Sequence, residues 1–407
     1  MALAQNCVIH VAAFQRTIFK LSYCHRVKQV KWFLGGNFCR RERFVSTSSA
    51  SKMEAWLIHQ YGGNNELALY DKVRTPTIKS PNELLIKVYA ASVNPIDVKM
   101  RSGYGKKLLK LLRMQQTGLN PGSEFPLILG RDFSGVVVET GQAVKNFKPG
   151  DEIWGALGAH KQGTHAQFTV ASENEISKKP ENLTHIEAAS IPYVALTSWA
   201  ALCSVGELSE KNARRKRILV QGGSGGIGSF SIQLLKAWDA HVTATCSTDA
   251  VEFVKNLGAD VVIDYKTQNA RKELSRLKPY DFVLDTVGGQ VADYSFDLLA
   301  TWKNAKLVTI ITPLLKNADT FGYVPGLAKS AFSLGSNLLK GVTGGRHYRW
   351  AIFVPNSYAL SKVGHLVQRT EIRPVIEQVY PFKELSEAYA NVEKGHNRGK
   401  TVVDMST

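Results

Sequence analysis

The stretch Arg-Ile-Leu-Val-Gln-Gly-Gly-Ser-Gly-Gly-Ile-Gly-Ser-Phe-Ser-Ile-Gln-Leu-Leu-Lys at residues 217–236 constrains this chain more than any other. Ile218, Leu219 and Val220 form a short apolar run of the kind a fully buried strand uses. Glycines follow at 222, 223, 225, 226 and 228, and a segment with apolar residues at Phe230, Leu234 and Ala237 then reads as a helix. A strand, a glycine turn and a helix in that order cradle a pyrophosphate. Glycine lets the backbone approach the phosphates, and the helix start offers unpaired N–H groups and the positive end of its dipole. Glycine-rich turns are common, so the surroundings decide what this one means.

Those surroundings alternate. Apolar runs at Arg217–Gln221, His241–Cys246, Val261–Asp264, 281–285 and 306–311 are separated by helical patterns at 227–238, 249–257 and 291–299. That order predicts an α/β domain with a doubly wound parallel sheet, helices on both faces. Before it, strand patterns at 53–59, Glu83–Val93, 134–139, Glu152–Ala156 and 166–170 alternate with glycine turns, which predicts a compact β-rich domain. A strand at 348–354, helices at Ser357–Gln368 and 384–394 and a last strand at Lys400–Asp404 complete the chain, with Gly395 placed to stop the final helix. Residues 106–120 read as a basic amphipathic helix or a long loop. They form either a surface excursion or a contact with anionic lipid or an apolar substrate mouth. Residues 312–346, with two prolines and an apolar stretch, read as a loop plus helix that covers a cleft or joins two subunits.

The formal charge of +17 is unevenly spread, because residues 1–50 hold eight Lys/Arg and a single acid, Glu42. A basic leader rich in hydroxyl residues has the composition of a mitochondrial transit peptide, with processing expected between Val45 and Met53. The remaining excess accompanies no nucleic-acid motif and reads as a solvated basic surface, as does the run 214–217. No stretch reaches the roughly 18 uninterrupted apolar residues of a transmembrane helix. Only Cys203 and Cys246 follow the leader, too few for a disulfide framework.

One absence after the glycine turn is informative. An NAD site places Asp or Glu at the end of the second strand to hold the ribose 2′-hydroxyl. Here Cys246-Ser247-Thr248 stand there, with Asp249 displaced into the next segment. A hydroxyl donates to a 2′-phosphate where a carboxylate repels it, so Ser247, with Tyr265 and Lys266 after the third strand, predicts NADPH rather than NADH.

The ordered set Ala-Ser-Val-Asn-Pro-Ile-Asp at 91–97, Gly-Arg-Asp-Phe-Ser-Gly-Val-Val at 130–137, Phe-Lys-Pro-Gly-Asp at 147–151, the glycine turn, Leu-Gly-Ala-Asp at 257–260 and Leu-Asp-Thr-Val-Gly-Gly at 284–289 resembles the medium-chain dehydrogenase/reductase superfamily. Within it, the chain is similar to the zinc-free quinone reductase branch, over residues 53–405. The resemblance implies a GroES-like β-rich domain (51–195), an inserted Rossmann domain (196–346) and a return segment (347–407) that completes the first domain. It also implies an NADPH oxidoreductase with a quinone-like substrate, frequent homodimers, and, through residues 372–378 and 395–400, a mitochondrial subgroup linked to ubiquinone synthesis and to a reticulon partner. That subgroup is placed in the matrix, with outer-membrane association as a further expectation.

Site residues follow from the same motifs. The resemblance puts Ser224, Gly225, Gly226, Ile227 and Gly228 on the phosphates, and Ser247 and Tyr265 at the adenosine end. Thr286 and Ile310 come at strand ends, and Ala351, Phe353, His396, Asn397 and Arg398 close over the nicotinamide side. No metal is expected, because Gly130-Arg131-Asp132 stands where zinc-dependent members have Gly-His-Glu, and no cysteine lies between Cys39 and Cys203. His160 and His165 read as isolated surface residues. Without a Lewis acid, hydrogen-bond donors must polarise the acceptor carbonyl. Asn94, Asp97 and Tyr104 are the candidates, with Asn94 and Asp97 alternatively holding only the turn they start. Asp132 reads as an organiser of its loop. An enoyl-thioester reductase, or a non-catalytic NADPH-binding partner protein, remain alternatives on the same fold.

Overall fold

The computed structural model describes residues 51–117, 124–342, 344–395 and 397–406. The expected transit peptide, residues 45–50 of its processing window and His396 lie outside them. Six strands, Arg217–Gln221, His241–Cys246, Val261–Asp264, Phe282–Asp285, Ala305–Thr309 and Arg346–Trp350, form an all-parallel sheet. Their spatial order is third, second, first, fourth, fifth, sixth. The order reverses between the first and fourth strands, and a crevice opens at the carboxyl ends of such a reversal. Residues on both faces of the sheet are buried, which is why the strands read as continuous apolar runs. Ile218 and Val220 pack with Phe230, Leu234 and Val242 on one side, while Leu219 packs with Leu274, Tyr280 and Val283 on the other.

The β-rich part centres on the long strand Glu83–Val93. It pairs antiparallel with Asp132–Thr140, Phe168–Ser172 and the C-terminal strand Lys400–Asp404. A smaller sheet joins Ala68–Arg74, Lys52–Ile58 and Leu127–Ile128. The C-terminal strand also pairs in parallel with Ile376–Pro381, so the end of the chain is part of the first sheet. The sixth parallel strand straddles the boundary expected at 346/347, and the chain rejoins the antiparallel sheet only at Ile376–Pro381.

Within 106–120, Lys106–Thr117 is helical. Residues 312–346 hold two helices, Leu314–Phe321 and Tyr323–Val342, where a loop and one helix were expected; Gly322, at φ +87°, makes the corner between them. The run His185–Val205 is long and apolar enough to cross a bilayer, but 72% of its most apolar window is buried inside the protein. Gly395 ends the helix Leu385–Lys394 at φ +74°, as its position in the sequence predicts.

Candidate active site

At the end of the first parallel strand the chain turns through Gly222, whose φ of +77° excludes most side chains. Its N–H donates to Thr245 Oγ1 (3.2 Å), and the Gly223 N–H donates to the Thr245 carbonyl (2.8 Å), which ties the turn to the second strand. The Thr286 hydroxyl donates to the Gln221 carbonyl (2.7 Å) and ties it to the fourth. Gly228 lets the following helix, Gly226–Ala237, sit directly on the turn, since a Cβ there would lie 2.1 Å from the Gly222 carbonyl oxygen.

Gly225 differs from these. It is the N-cap residue of that helix, with φ −70° and ψ 166° and no side-chain cap. A Cβ at Gly225 would meet only the Gly222 carbonyl oxygen, at 3.8 Å, so neither packing nor backbone geometry demands glycine here. The first N–H groups of a helix have no partner within it. Open space above an uncapped helix start is what a dinucleotide pyrophosphate fills, so the residues present fit a nicotinamide cofactor.

The other expected residues lie along the same sheet edge. Ser247 follows the second strand and donates to Asp249 Oδ1 (2.5 Å); the Arg398 guanidinium pairs with the other oxygen of that carboxylate, so Arg398 lies beside Ser247 and not over the nicotinamide side as expected. These bonds, from Ser247 first and Arg398 second, hold the Asp249 carboxyl down at about 2. Tyr265 is beside them, its N–H on the Cys246 carbonyl (3.1 Å) and its ring exposed. Glu377 anchors the approach of Arg398 by accepting from Asn397 Nδ2 (2.5 Å) and from the Arg398 N–H (3.0 Å). Gly399 then bridges to Gly225, so the C-terminal segment crosses the glycine turn. Ile310 and Ala351 follow the fifth and sixth strands, their N–H groups on the carbonyls of Asp285 and Thr309. Phe353 stacks on Tyr193 at 4.5 Å between ring centroids. Val287, Ile311 and Ile352, exposed at successive strand ends, give this edge an apolar rim.

The three catalytic candidates separate. Asn94 is 1% exposed and every polar atom of its side chain is engaged. Its Nδ2 donates to Asp132 Oδ2 (2.8 Å) and Asp97 Oδ2 (3.2 Å), while its Oδ1 accepts from Lys400 Nζ (2.5 Å). An amide spent in this way does not face the cleft, and the geometry favours the alternative in which it holds the turn. Asp97 is fully buried and accepts from the Asn94 N–H (2.8 Å), with the Arg131 guanidinium 3.6 Å away. Burial pushes the Asp97 carboxyl up and the Arg131 guanidinium down. Tyr104 is half-buried in a hollow of about 480 Å³ lined also by Val98, Ser102, Lys106, Asp319 and Thr320. Burial first, and Asp319 second, raise its phenol, so it remains a hydroxyl donor at neutral pH. Asp319 also accepts from the N–H groups of Gly105 (2.6 Å) and Lys107 (3.1 Å), and so the helix Leu314–Phe321 is fastened to the Tyr104 loop.

Lys400 is the residue that sequence reasoning missed. Its ammonium is buried, 3.1 Å from Asp132 Oδ2, and its stem runs 3.3 Å from where a Gly226 Cβ would be. It thus joins the glycine turn to the buried Asn94–Asp132 pair. Asp132 also accepts from the Ser92 hydroxyl (2.6 Å) and from the Tyr193 N–H, as an organiser of the loop would. The one available signal was a lysine opening a strand whose centre is Val402-Val403.

His165 corrects an expectation. It is fully buried rather than on the surface, its Nε2 3.2 Å from the Ser92 carbonyl and its Nδ1 3.2 Å from the Tyr389 hydroxyl. An imidazole with both nitrogens occupied is satisfied as a core residue, and burial holds its pKa down at about 3. Between that value and the unfolded value near 6.5 the unfolded chain binds a proton that the folded chain does not, so stability falls as pH drops. From pH 7 to pH 5, His165→Gln should lose about 2 kcal/mol less unfolding free energy than the parent. Urea melts at the two pH values check this; equal losses would contradict it.

The chain matches the models of two protein families, "Alcohol dehydrogenase GroES-like domain" over residues 80–181 and "Zinc-binding dehydrogenase" over residues 257–403. Among the described residues no group of three or more His, Cys, Asp or Glu side chains could hold a metal ion, and the buried Arg131 guanidinium lies 3.6 Å from the Asp97 carboxylate. The human mitochondrial NAD(P)H oxidoreductase RTN4IP1 is 51% identical over 365 residues, which span 89% of this chain and 92% of that protein. The mitochondrial reticulon-4-interacting protein 1 of Caenorhabditis elegans is 40% identical over 362 residues, 89% of this chain and 97% of that protein. The solved quinone oxidoreductase of Coxiella burnetii superposes with a TM-score of 0.68 at 30% identity, covering 87% of this chain and all of that one. These relatives agree with the basic leader on a mitochondrial location. With a GroES-like sheet, a Rossmann sheet and relatives of this closeness, the chain belongs to the medium-chain dehydrogenase/reductase superfamily, as a nicotinamide-dependent oxidoreductase of the quinone oxidoreductase type.

Proposed function

We propose that this protein is an NADPH-dependent reductase of the mitochondrial matrix that delivers a hydride to a quinone. NADPH supplies the hydride; the chain supplies binding, orientation and a proton. The observation that carries the reading is the uncapped helix start at Gly225, with open space above it, on the same sheet edge as Ser247 and Arg398, which share the Asp249 carboxylate.

The N–H groups of Gly226, Ile227 and Gly228, with the Ser224 hydroxyl nearby, hold the pyrophosphate. Ser247 and Arg398 hold the 2′-phosphate, and the exposed Tyr265 ring covers the adenosine end. Thr286, Ile310, Ala351, Asn397 and Phe353 line the remaining length, and the apolar rim excludes water from the nicotinamide. Asn94 and Asp97 keep the Tyr104 loop in place, and the Tyr104 hydroxyl donates to the acceptor carbonyl as negative charge develops there. The nematode relative's name supports a reticulon partner for this chain. The quinone reading supports a place beside the enzymes of ubiquinone synthesis.

Arg398 decides the cofactor preference. With Arg398→Ala, Asp249 loses its cation and faces the 2′-phosphate unpaired, so NADPH affinity should fall about 10–100-fold, the weight of a charge-assisted hydrogen bond. NADH, which has no phosphate there, should bind within about 2-fold of the parent protein. Titrations followed by nicotinamide fluorescence measure both. Equal loss for the two cofactors, or none for NADPH, would contradict the assignment.

A further inference from the structure

The helix Tyr323–Val342 is turned inside out. Its buried residues are Gly326, Ser330 and Gly341, small or polar. They bring its backbone against neighbours: a Cβ at Gly326 would lie 2.4 Å from the Asn317 carbonyl oxygen, and one at Gly341 would lie 2.0 Å from that of Arg346. Asn317 Nδ2 donates to the Ser330 hydroxyl (2.9 Å) across the same contact. Several large apolar side chains are on the opposite side. Val324 is 79% exposed, Phe332 78% and Leu339 72%, with Ala328 and Ala331 exposed between them. At 100° per residue these five positions fall within one face, and Lys329 and Lys340 flank it. A soluble helix packs its apolar face inward, so this one presents a surface for something else.

The charges around it select the occupant. Residues 323–342 contain no acid. The neighbouring helix Lys106–Thr117 also has none; it exposes Lys106, Lys110 and Leu111, and its Lys107 carbonyl accepts from the Tyr323 hydroxyl (3.2 Å). Lys340 has a long contact with Asp293, at 3.8 Å, both side chains exposed. A second copy of this face would set lysines against lysines. An anionic bilayer would take the apolar stripe between its acyl chains and the lysines at its headgroups.

We propose that Tyr323–Val342, with Lys106 and Lys110 beside it, docks the protein on an anionic membrane surface. The assignment goes beyond the hydride-transfer reading and does not depend on it, because docking needs neither cofactor nor acceptor. The test is flotation of the protein with vesicles of phosphatidylcholine alone and of phosphatidylcholine containing 25 mol% cardiolipin, in buffer of physiological ionic strength. The parent protein should float with the anionic vesicles and remain behind with the neutral ones. Phe332→Ser/Leu339→Ser, both exposed and so free of folding cost, should lower the bound fraction at least 10-fold and leave NADPH titration unchanged. Lys329→Glu/Lys340→Glu should do the same. Failure of the parent protein to float, or flotation that survives both pairs of changes, overturns the proposal. So does a parent dimer that the Phe332/Leu339 variant converts to monomer while vesicle binding persists, which would give the face to a second copy.

Discussion

Gly225→Asp is expected to abolish dinucleotide binding while leaving the fold intact or slightly firmer. Two properties of this one position lead to that result. As the N-cap residue in an extended conformation, with nothing closer to a Cβ than the Gly222 carbonyl oxygen at 3.8 Å, Gly225 accepts a side chain without strain. Aspartate is among the best N-cap residues and improves on glycine by a few tenths of a kcal/mol. The carboxylate that stabilises the helix does so by taking the N–H groups and the dipole end that a pyrophosphate would use. It also places a negative charge where the phosphates would be. Cofactor affinity should fall at least about 100-fold, since two charge-assisted hydrogen bonds are exchanged for repulsion. Gly222→Ala tests the opposite limit. There φ is +77° and the Thr286 hydroxyl is 2.5 Å from the new Cβ, so stability falls along with binding. Thermal melting beside a fluorescence titration separates the two cases. Undiminished NADPH binding by Gly225→Asp would remove the helix start from the site.

Lys400→Met should cost about 3–5 kcal/mol of unfolding free energy, the usual consequence of breaking a buried ion pair from one side. Lys400 and Asp132 are both buried, and the lysine also fills the acceptor of Asn94. Methionine keeps the stem against the glycine turn but leaves the Asp132 carboxylate with only neutral donors, Ser92, Asn94 and the Tyr193 N–H. Because most of the loss comes from the stranded charge, Lys400→Met/Asp132→Asn should recover more than half of it. Urea unfolding of the four proteins closes the cycle. A loss below about 1 kcal/mol for Lys400→Met would mean that water already screens the pair.

The sequence carried most of the fold because its signals were local. The inner parallel strands are buried on both faces, so each reads as an apolar run, unlike the edge strand Arg346–Trp350, and the glycines mark the turn where backbone, not side chain, approaches. The sheet edge proposed to take the cofactor was legible for the same reason: Ser247, Tyr265, Thr286 and Ile310 each follow a recognisable strand. What could not be read depended on distant partners. Lys400 meets Asn94 across 306 positions, and nothing near either residue announces the other. Asn94 borders the strand end where a catalytic amide was expected, but whether its amide faces the cleft or Asp132 is settled by that distant lysine. His165 has the polarity of a surface residue and was misplaced, because Ser92 and Tyr389, which satisfy it, come from other strands and helices. The apolar stripe of Tyr323–Val342 is visible as a period, yet a period does not say which side faces inward. Small residues at Gly326, Ser330 and Gly341 decided that by letting the backbone make the contact.

The central claim is that the crevice binds NADPH and passes its hydride to a quinone. Single-turnover mixing tests it most directly: protein loaded with one equivalent of NADPH is mixed with a short-chain ubiquinone analogue, and absorbance at the reduced-nicotinamide band is followed. A parallel run uses a trans-2-enoyl thioester. The expected result is stoichiometric loss of the band with the quinone, little loss with the thioester, and none with Gly225→Asp. A band that persists through a panel of quinones, on protein shown to hold NADPH, would contradict it.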